Sequence, residues 1–387
     1  MARFAAFSRD LIPAKLRYHK AYPLLLVAVF LVSLLAAYAY VTPINHLDWA
    51  TTAQVLRYMM RFENPYAEGL TMDPDLYELY PDYEFLGYGP WMFFYFGPLA
   101  WASTRLILAL TIALWIVIMA DSAQPAALLL ILHPTFLMTL AAGNIDFLII
   151  SVGVWLLYRH DRGPRLGVAL MLMAIKPQVL PLLLLLEGIR ILRYRDWPAL
   201  GTMIGIAGAS FLLFPGWLEW PLSVVADYLG VFIGEYSRQD VAIGGKYPFS
   251  IYGAWGVWAA LGVTVLVVLI MFRRLTEWRT LAILLSFVWT PYVNPYSYTV
   301  LLLLFRRTAA WRTILYLAIS LASIPVFFDE WHRHERYGLL LYLLLAALLS
   351  TPEPAHTEEA IAQRHDQPLL PLVARVIRRP TIGLHSA

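Results

Sequence analysis

The feature that most constrains the fold of this chain is an apolar run, residues 23–41, that follows a cluster of cationic side chains. A helix needs about 20 apolar residues to cross the hydrocarbon core of a bilayer, and this run has that length. Similar runs recur along the chain, so hydrophobic residues make up 60% and charged residues only 14%. Soluble domains carry about 25% charged residues. The sequence therefore predicts an all-α, polytopic membrane protein.

The charges between the apolar runs predict the topology. Lysines and arginines concentrate on the cytoplasmic side of membrane proteins. The cations before the first run are therefore expected to keep the N-terminus in the cytoplasm; they are Arg3, Arg9, Lys15, Arg17 and Lys20. The next loop, residues 42–90, is then external, and it carries eight acidic residues against two arginines. Further basic clusters predict cytoplasmic turns at residues 159–165, 190–195, 273–279 and 306–312.

This pattern predicts about 10 to 12 spans in a cell membrane, with the N-terminus cytoplasmic. Residues 1–350 are expected to form one transmembrane domain, with a second external loop at residues 215–248. Residues 351–387 are expected to form a cytoplasmic tail, because they are rich in proline and charge at first and then basic and amphipathic.

Three polar breaks interrupt the apolar runs. Lys176-Pro177 lies in the middle of the segment 166–186, which has basic clusters on both sides. Because both flanks favour the cytoplasm, two half-helices that enter and return are expected there, with the break buried in protein. Asn144 and Asp146 mark a second break, and residues 290–295 mark a third. Because the three breaks are expected at the same depth in the membrane, they predict one shared cavity.

Asp48 opens the long external loop just beyond the first span. A carboxylate at the mouth of a cavity can act as the general base that takes a proton from an acceptor hydroxyl. The alternative is an ordinary loop residue or the N-terminal cap of a surface helix, for which the following sequence is also suited.

Aromatic side chains are frequent in the same loop, and Tyr66 and Tyr88 belong to its two turn motifs. They are candidates to stack on the faces of a sugar, or they belong to the interfacial aromatic belt of a membrane protein. Asp73 and Asp75 have a spacing that can hold a divalent cation, but the proline between them favours a solvated loop.

Lys176 is a candidate to bind a phosphate oxygen, because a lysine inside a membrane segment is costly and often functional. The alternative is a side chain that extends to the interface and only anchors a half-helix. Arg333 is a further external cation that could contact an anionic head group. No strong metal-ligand spacing or cofactor motif occurs, and no continuous basic face predicts nucleic-acid binding.

In order along the chain, these motifs resemble those of the GT-C glycosyltransferases, and most of all glycosyltransferase family 87, whose members use polyprenol-phosphate-mannose. The resemblance spans residues 20–350. The motifs that carry it are Asp48, Asn64-Pro65-Tyr66, Tyr88-Gly89-Pro90, Gly143-Asn144-Ile145-Asp146, Ile175-Lys176-Pro177 and Thr290-Pro291 with Asn294-Pro295. The chain departs from the family pattern in its late motif, which lacks the histidine that often follows there.

The resemblance implies a GT-C-like bundle with broken helices and a long first external loop. It implies an inverting transfer of a sugar, with mannose expected, from a polyprenyl-phosphate donor to a lipid or glycan acceptor at the external face, among membrane lipids. Asp48 would be the base. The donor phosphate or the substrates would be bound by Lys176, Asn144, Asn294, Tyr66, Tyr88 and Arg333.

Two alternatives stay open. A transporter or flippase of lipid-linked or small polar substrates would also use helices broken at mid-membrane. The long loop after the first span and the lack of a convincing internal repeat favour the transferase. A non-catalytic membrane scaffold is the third possibility, and turnover that depends on Asp48 would separate it from the first.

Overall fold

The computed structural model describes eight segments, and for residues 47, 48, 51, 125, 327 and 335 it describes the backbone alone. The segments are residues 22–43, 47–62, 89–121, 125–214, 251–275, 277–290, 293–327 and 335–350. The predicted loop 215–248 and tail 351–387 lie outside them. Within the described segments, 84% of the residues are helical and no strand occurs, which confirms the predicted all-α class.

The α-helices are numbered here in chain order. They are α1 (Tyr22–Tyr40), α2 (Leu47–Met60), α3 (Met92–Phe96), α4 (Thr104–Ala120), α5 (Pro134–Ala142), α6 (Val152–Arg159), α7 (Pro164–Ala174), α8 (Pro181–Tyr194), α9 (Trp197–Leu213), α10 (Ile251–Trp255), α11 (Val257–Met271), α12 (Trp278–Trp289), α13 (Ala310–Ala322), α14 (Ile324–Phe327) and α15 (Glu335–Leu349). Between them lie 3₁₀ helices at Gly97–Leu99, Pro125–Leu132, Phe272–Arg274 and Pro295–Arg307, and a π-helical turn at Phe147–Ser151.

Two helical segments are long and apolar enough to cross a membrane, Tyr22–Tyr40 and Val257–Arg274. Two further pairs of helices pass the same test together but bend at a break, by 119° between α3 and α4 and by 120° between α5 and α6. If each bent pair is one span, the described segments contain up to four spans. Shorter apolar helices make up much of the rest, and the larger predicted number of spans stays a prediction.

Helices α1 and α4 form an antiparallel pair along their whole length. The Tyr22 hydroxyl donates to Asp121 Oδ1 at 2.6 Å at one end, and Arg105 Nη2 donates to the Ala39 carbonyl at 2.7 Å at the other. Nineteen residues of α-helix span about 28 Å, close to the roughly 30 Å of a bilayer hydrocarbon core. The pair therefore defines two ends of the bundle, separated by about the thickness of a membrane.

The outer face of α1 is apolar and open. Leu24, Val32 and Leu35 are each about 70% exposed, and the helix contains no charged residue. Isolated exposed leucines are ordinary, but a whole helix face of them is typical of a surface covered by lipid.

The segment around Lys176-Pro177 folds as a hairpin of two helices, α7 and α8. Its outer ends meet, because Arg190 Nη2 donates to the Asp161 carbonyl at 2.7 Å. The Gly163 N–H, at a left-handed φ of 79°, donates to Asp196 Oδ2 at 2.9 Å. The break therefore separates two helices that fold back on each other, and their entry into and return from a membrane stays a prediction.

Charged side chains gather where these outer ends meet, and we call this region the basic end. Glu187, fully buried, accepts from Arg190 Nε and from Arg279 Nε, each at 2.6 Å. Arg279 Nη1 also pairs with Asp161 at 2.7 Å. The network ties α8 to α12 and to the turn between α6 and α7. Arg159 and Asp121, paired at 3.1 Å, lie at the same end.

Candidate functional site

The three polar breaks meet at the end of α7 and α12 that is opposite to the basic end. Lys176 Nζ lies 2.7 Å from Asp146 Oδ1, and the two side chains are 7% and 0% exposed. The Ser297 hydroxyl donates to Asp146 Oδ2. Two of the breaks, and Ser297 just after the third, therefore contribute to a single buried cluster, in which the positive and negative charges cancel.

The backbone around residues 143–146 explains how Asp146 reaches this position. Gly143 ends α5 in the left-handed conformation, with φ 65°, where glycine avoids the strain that a Cβ would cause. Asn144 Oδ1 then accepts from the Asp146 N–H at 2.6 Å, a side-chain turn that redirects the chain. The π-helical turn follows at once. Such turns often occur at functional sites.

Lys176 is placed by a turn rather than by a helix. Its N–H donates to Met173 at the end of α7, and its carbonyl accepts from Val179 at 3.2 Å. The preceding carbonyl, of Ile175, accepts from the Gly89 N–H at 2.7 Å. The end of the long first loop therefore contacts the Lys176 turn directly, and two sequence motifs 86 positions apart in the chain meet.

The third break completes the cluster from the start of the 3₁₀ helix. The Tyr296 ring centroid lies 5.6 Å from Lys176 Nζ, within the range of a cation–π contact. Asn294 Nδ2 donates to the Tyr296 hydroxyl. Thr290 donates to the Gln178 carbonyl and so joins the end of α12 to the turn after Lys176. Asn294 therefore contributes by orienting Tyr296.

Helix α2 begins at Leu47, so a helix forms where the capping alternative expected one, but Asp48 lies in its first turn rather than at its cap. The helix is held against the segment that joins α3 to α4. Trp49 Nε1 donates to the Ala102 carbonyl at 2.7 Å, and Arg57 Nε donates to the Ala100 carbonyl at 3.0 Å. The buried Trp49 ring fixes the first turn of the helix to this segment.

A cavity of about 450 Å³ lies between α2 and the start of α4. Its polar lining comes from Ser103, Thr104 and two arginines, Arg57 and Arg105. Its apolar lining comes from Pro43, Trp49, Ala50, Ala53 and Ala102. A concave site with a few polar groups in an apolar wall is the usual form of a small-molecule site.

The two arginines are held differently. Arg105 lies 5.0 Å over the Tyr38 ring and donates to the Ala39 carbonyl, which fixes it at the end of α1. Its buried Nε has no hydrogen-bond partner in the described part of the chain. Neither arginine pairs with a carboxylate among the described residues, so the cavity wall carries positive charge next to the start of α2.

The structure brings together Lys176, Asn144 and Asn294 of the predicted site residues. It places the Asp48 backbone in the first turn of α2, next to Trp49, which lines the cavity. Tyr66, Tyr88 and Arg333 lie outside the described residues, as do Asp73 and Asp75. The Lys176 ammonium does not extend to the surface, contrary to the anchoring alternative.

Sequence reasoning missed the pairing of Lys176 with Asp146 and the role of Ser297. The signal available was that the break at Asn144 contains a carboxylate, the one charge in that segment. It also counted Arg57 only among the charges of the first external loop and gave Arg105 no role. The described residues include no group of three or more potential metal ligands.

Comparison of the chain with protein-family models, with characterised proteins and with solved structures finds no match.

Proposed function

We propose that this chain is a membrane glycosyltransferase. It moves a sugar, with mannose as the first candidate, from a polyprenyl-phosphate donor to a lipid or glycan acceptor at the external face of the membrane. The observation that carries the proposal is the position of Asp48, in the first turn of a helix that walls a cavity with two arginines. A carboxylate carried by this helix and cations held in the cavity wall would suit a reaction in which a proton leaves and a phosphate departs.

In the proposed reaction Asp48 takes the proton of the acceptor hydroxyl, and the acceptor oxygen forms a bond to the anomeric carbon. The bond between that carbon and the phosphate oxygen breaks with inversion, and the phosphate leaves with its electron pair. Arg57 and Arg105 are the candidates to offset the negative charge that grows on it. Such fixed charges in a water-poor site act more strongly in the transition state than in the ground state.

The apolar face of α1 suits the lipid part of the donor. Leu35 and Tyr40, near the end of the helix closest to α2, are exposed, and the cavity opens beside this end. A polyprenyl chain lying along α1 in the bilayer would bring its phosphate to the level of Arg105. The phosphate of the donor would then reach the cavity without leaving the membrane interface.

Lys176 remains a second candidate for the phosphate, because a ligand oxygen could replace Asp146 as its partner. Because Lys176 already pairs with Asp146, a phosphate would first have to displace this carboxylate, a step that the sequence-based prediction did not include. Asn144 and Asn294 then act by holding Asp146 and Tyr296 in position.

The experiment that tests the proposal uses the purified full chain in proteoliposomes with synthetic polyprenyl-phosphate-mannose, radiolabelled in the sugar. We expect label to appear in a new lipid-linked product. Arg105→Gln and Arg57→Gln are expected to lower kcat/KM about tenfold or more, because each removes a charge at the leaving group. Arg61→Gln is the control, since Arg61 is exposed at the end of α2 and does not line the cavity. Equal rates in all three variants would contradict the assignment of the cavity.

A transporter or flippase is the second candidate function. The observation that favours it is the buried Lys176–Asp146 pair, which joins two helix breaks as in many transporters. The same proteoliposomes separate the two functions. Movement of labelled donor across the bilayer without a new glycosylated product would support the transporter and contradict the transferase.

A further inference from the structure

A buried arginine at the basic end lacks a hydrogen-bonded partner for its charge among the residues that the structure describes. Arg306, the penultimate residue of the 3₁₀ helix Pro295–Arg307, is only 8% exposed. Its Nε and Nη1 atoms are buried and have no hydrogen-bond partner in the segments that the structure describes. A buried charge without a partner costs several kcal/mol. Such a side chain is expected to receive an acceptor from a bound molecule.

A carboxylate within electrostatic range does not supply that acceptor. Asp121 acts on Arg306 electrostatically, but its two oxygens are used by other groups. Oδ1 accepts from the Tyr22 hydroxyl at 2.6 Å. Oδ2 accepts from Trp155 Nε1 and pairs with Arg159 Nη1, each at 3.1 Å. Arg159 therefore already neutralises Asp121.

The local charge is positive. Besides Asp121 and Arg306, the electrostatic neighbourhood contains Arg159 and Arg307, so among the described residues two positive charges remain uncompensated. The Tyr158 ring centroid lies 5.8 Å from the Arg306 guanidinium carbon and forms an aromatic wall beside it. An anion with several acceptor oxygens matches this arrangement, because a guanidinium donates through a planar fork.

The position of the cluster identifies the source of the anion. The bond between Tyr22 and Asp121 fixes the cluster at the start of α1, whose apolar face is exposed along its length. At the end of a helix that is about as long as the bilayer core is thick, the neighbouring groups are lipid phosphates. Basic pockets between helices at this level are suited to anionic head groups.

We propose that Arg306 and Arg159 bind the phosphate of an anionic phospholipid at the basic end, beside Tyr158. This lipid site lies at the end of α1 opposite to Asp48 and does not depend on the proposed transfer reaction. The lipid would complete the hydrogen bonds of Arg306 and compensate the excess charge. Its acyl chains would lie against the exposed face of α1.

The test is native mass spectrometry of the purified full chain with phosphatidylglycerol and with phosphatidylcholine, two lipids that differ in net charge. We expect the wild type to prefer phosphatidylglycerol. Arg306→Gln is expected to weaken that binding about tenfold, as for loss of one charge-assisted hydrogen-bonding group. Arg165→Gln is the matched control, because Arg165 is an exposed arginine at the start of α7. It is expected to bind as the wild type does.

Two outcomes would overturn the proposal, namely equal binding of the two lipids by the wild type or unchanged binding in Arg306→Gln. Competition by millimolar inorganic phosphate, with no preference between the lipids, would assign the site to a free anion instead. If Arg306→Gln does not fold, the melting temperature of the wild type decides. Phosphatidylglycerol is expected to raise it relative to phosphatidylcholine, and no difference would contradict the site.

Discussion

Lys176 and Asp146, which are 30 positions apart, form an ion pair at 2.7 Å that is almost entirely buried. Each residue belongs to a separate break between helices, so this one contact holds the two breaks together. The carboxylate also accepts from Ser297, which lies just after the third break. A buried pair of this kind balances the cost of desolvating both charges only when further hydrogen bonds support it.

Removing the charge of Lys176 is expected to destabilise the fold. Lys176→Met leaves Asp146 buried without its cation, which costs about 3–5 kcal/mol in comparable pairs. The double variant Lys176→Met/Asp146→Asn removes both charges and keeps an acceptor for Ser297. It is expected to recover a large part of that loss. Urea unfolding in detergent micelles measures both, and a double variant as unstable as the single one would contradict the coupling.

Two buried serines offer a matched pair of truncations. Ser297→Ala removes the hydroxyl that donates to Asp146 and is expected to cost about 1–3 kcal/mol, because the carboxylate loses a buried partner. Ser286 is equally buried, but its hydroxyl has no hydrogen-bond partner within the described segments. Ser286→Ala is therefore expected to be neutral or stabilising. Equal losses of unfolding free energy in both variants would argue against a specific role for Ser297.

Close packing of α7 on α9 depends on Gly167. A Cβ at this position would lie 2.5 Å from the Ala199 carbonyl oxygen and 2.8 Å from Thr202 Cβ, so the helices would have to separate. Gly167→Ala is expected to destabilise by about 1–3 kcal/mol. Gly201→Ala, on α9 where a Cβ meets open space, is expected to stabilise by about 0.5–1 kcal/mol through helix propensity. Thermal unfolding of the two variants should therefore shift in opposite directions.

At the basic end, two carboxylates pair with the same arginine. Arg279 contacts Glu187 at 2.6 Å and Asp161 at 2.7 Å, but the Glu187 side chain is buried and the Asp161 side chain is 61% exposed. Glu187→Gln is expected to cost about 3 kcal/mol or more, and Asp161→Asn less than about 1 kcal/mol. High salt should reduce only the smaller effect. Similar losses in both variants would contradict the importance of burial here.

The break at Lys176 could be predicted from local sequence, because Pro177 and the basic flanks of the segment 166–186 disfavour a single continuous helix. A helix near Asp48 was also predictable, although it begins one residue earlier than a cap at Asp48 would place it. What sequence could not predict is which break meets which. Asp146 and Lys176 are joined only by the packing of α7 against the π-helical turn, and no spacing rule links them.

The cavity was also beyond prediction from sequence. Arg57 and Arg105 lie in different helices, and they face one space only because Trp49 holds α2 on the segment that joins α3 to α4. In the sequence each arginine has an ordinary reading, as a loop charge or as an interruption of a span. The orientation of the two side chains depends on tertiary contacts with backbone carbonyls, which a local pattern does not encode.

The most direct test of the transferase proposal is the rate of mannose transfer from polyprenyl-phosphate-mannose to membrane lipids by wild type, Asp48→Asn and Asp73→Asn, side by side. A general base contributes about 10²–10⁴-fold to a rate, so Asp48→Asn is expected to lose that much while melting as the wild type does. Asp73→Asn, the same change elsewhere in the first loop, is expected to retain activity. A near-wild-type rate in Asp48→Asn would contradict the assignment of the base, and no transfer by the wild type would contradict the use of this donor.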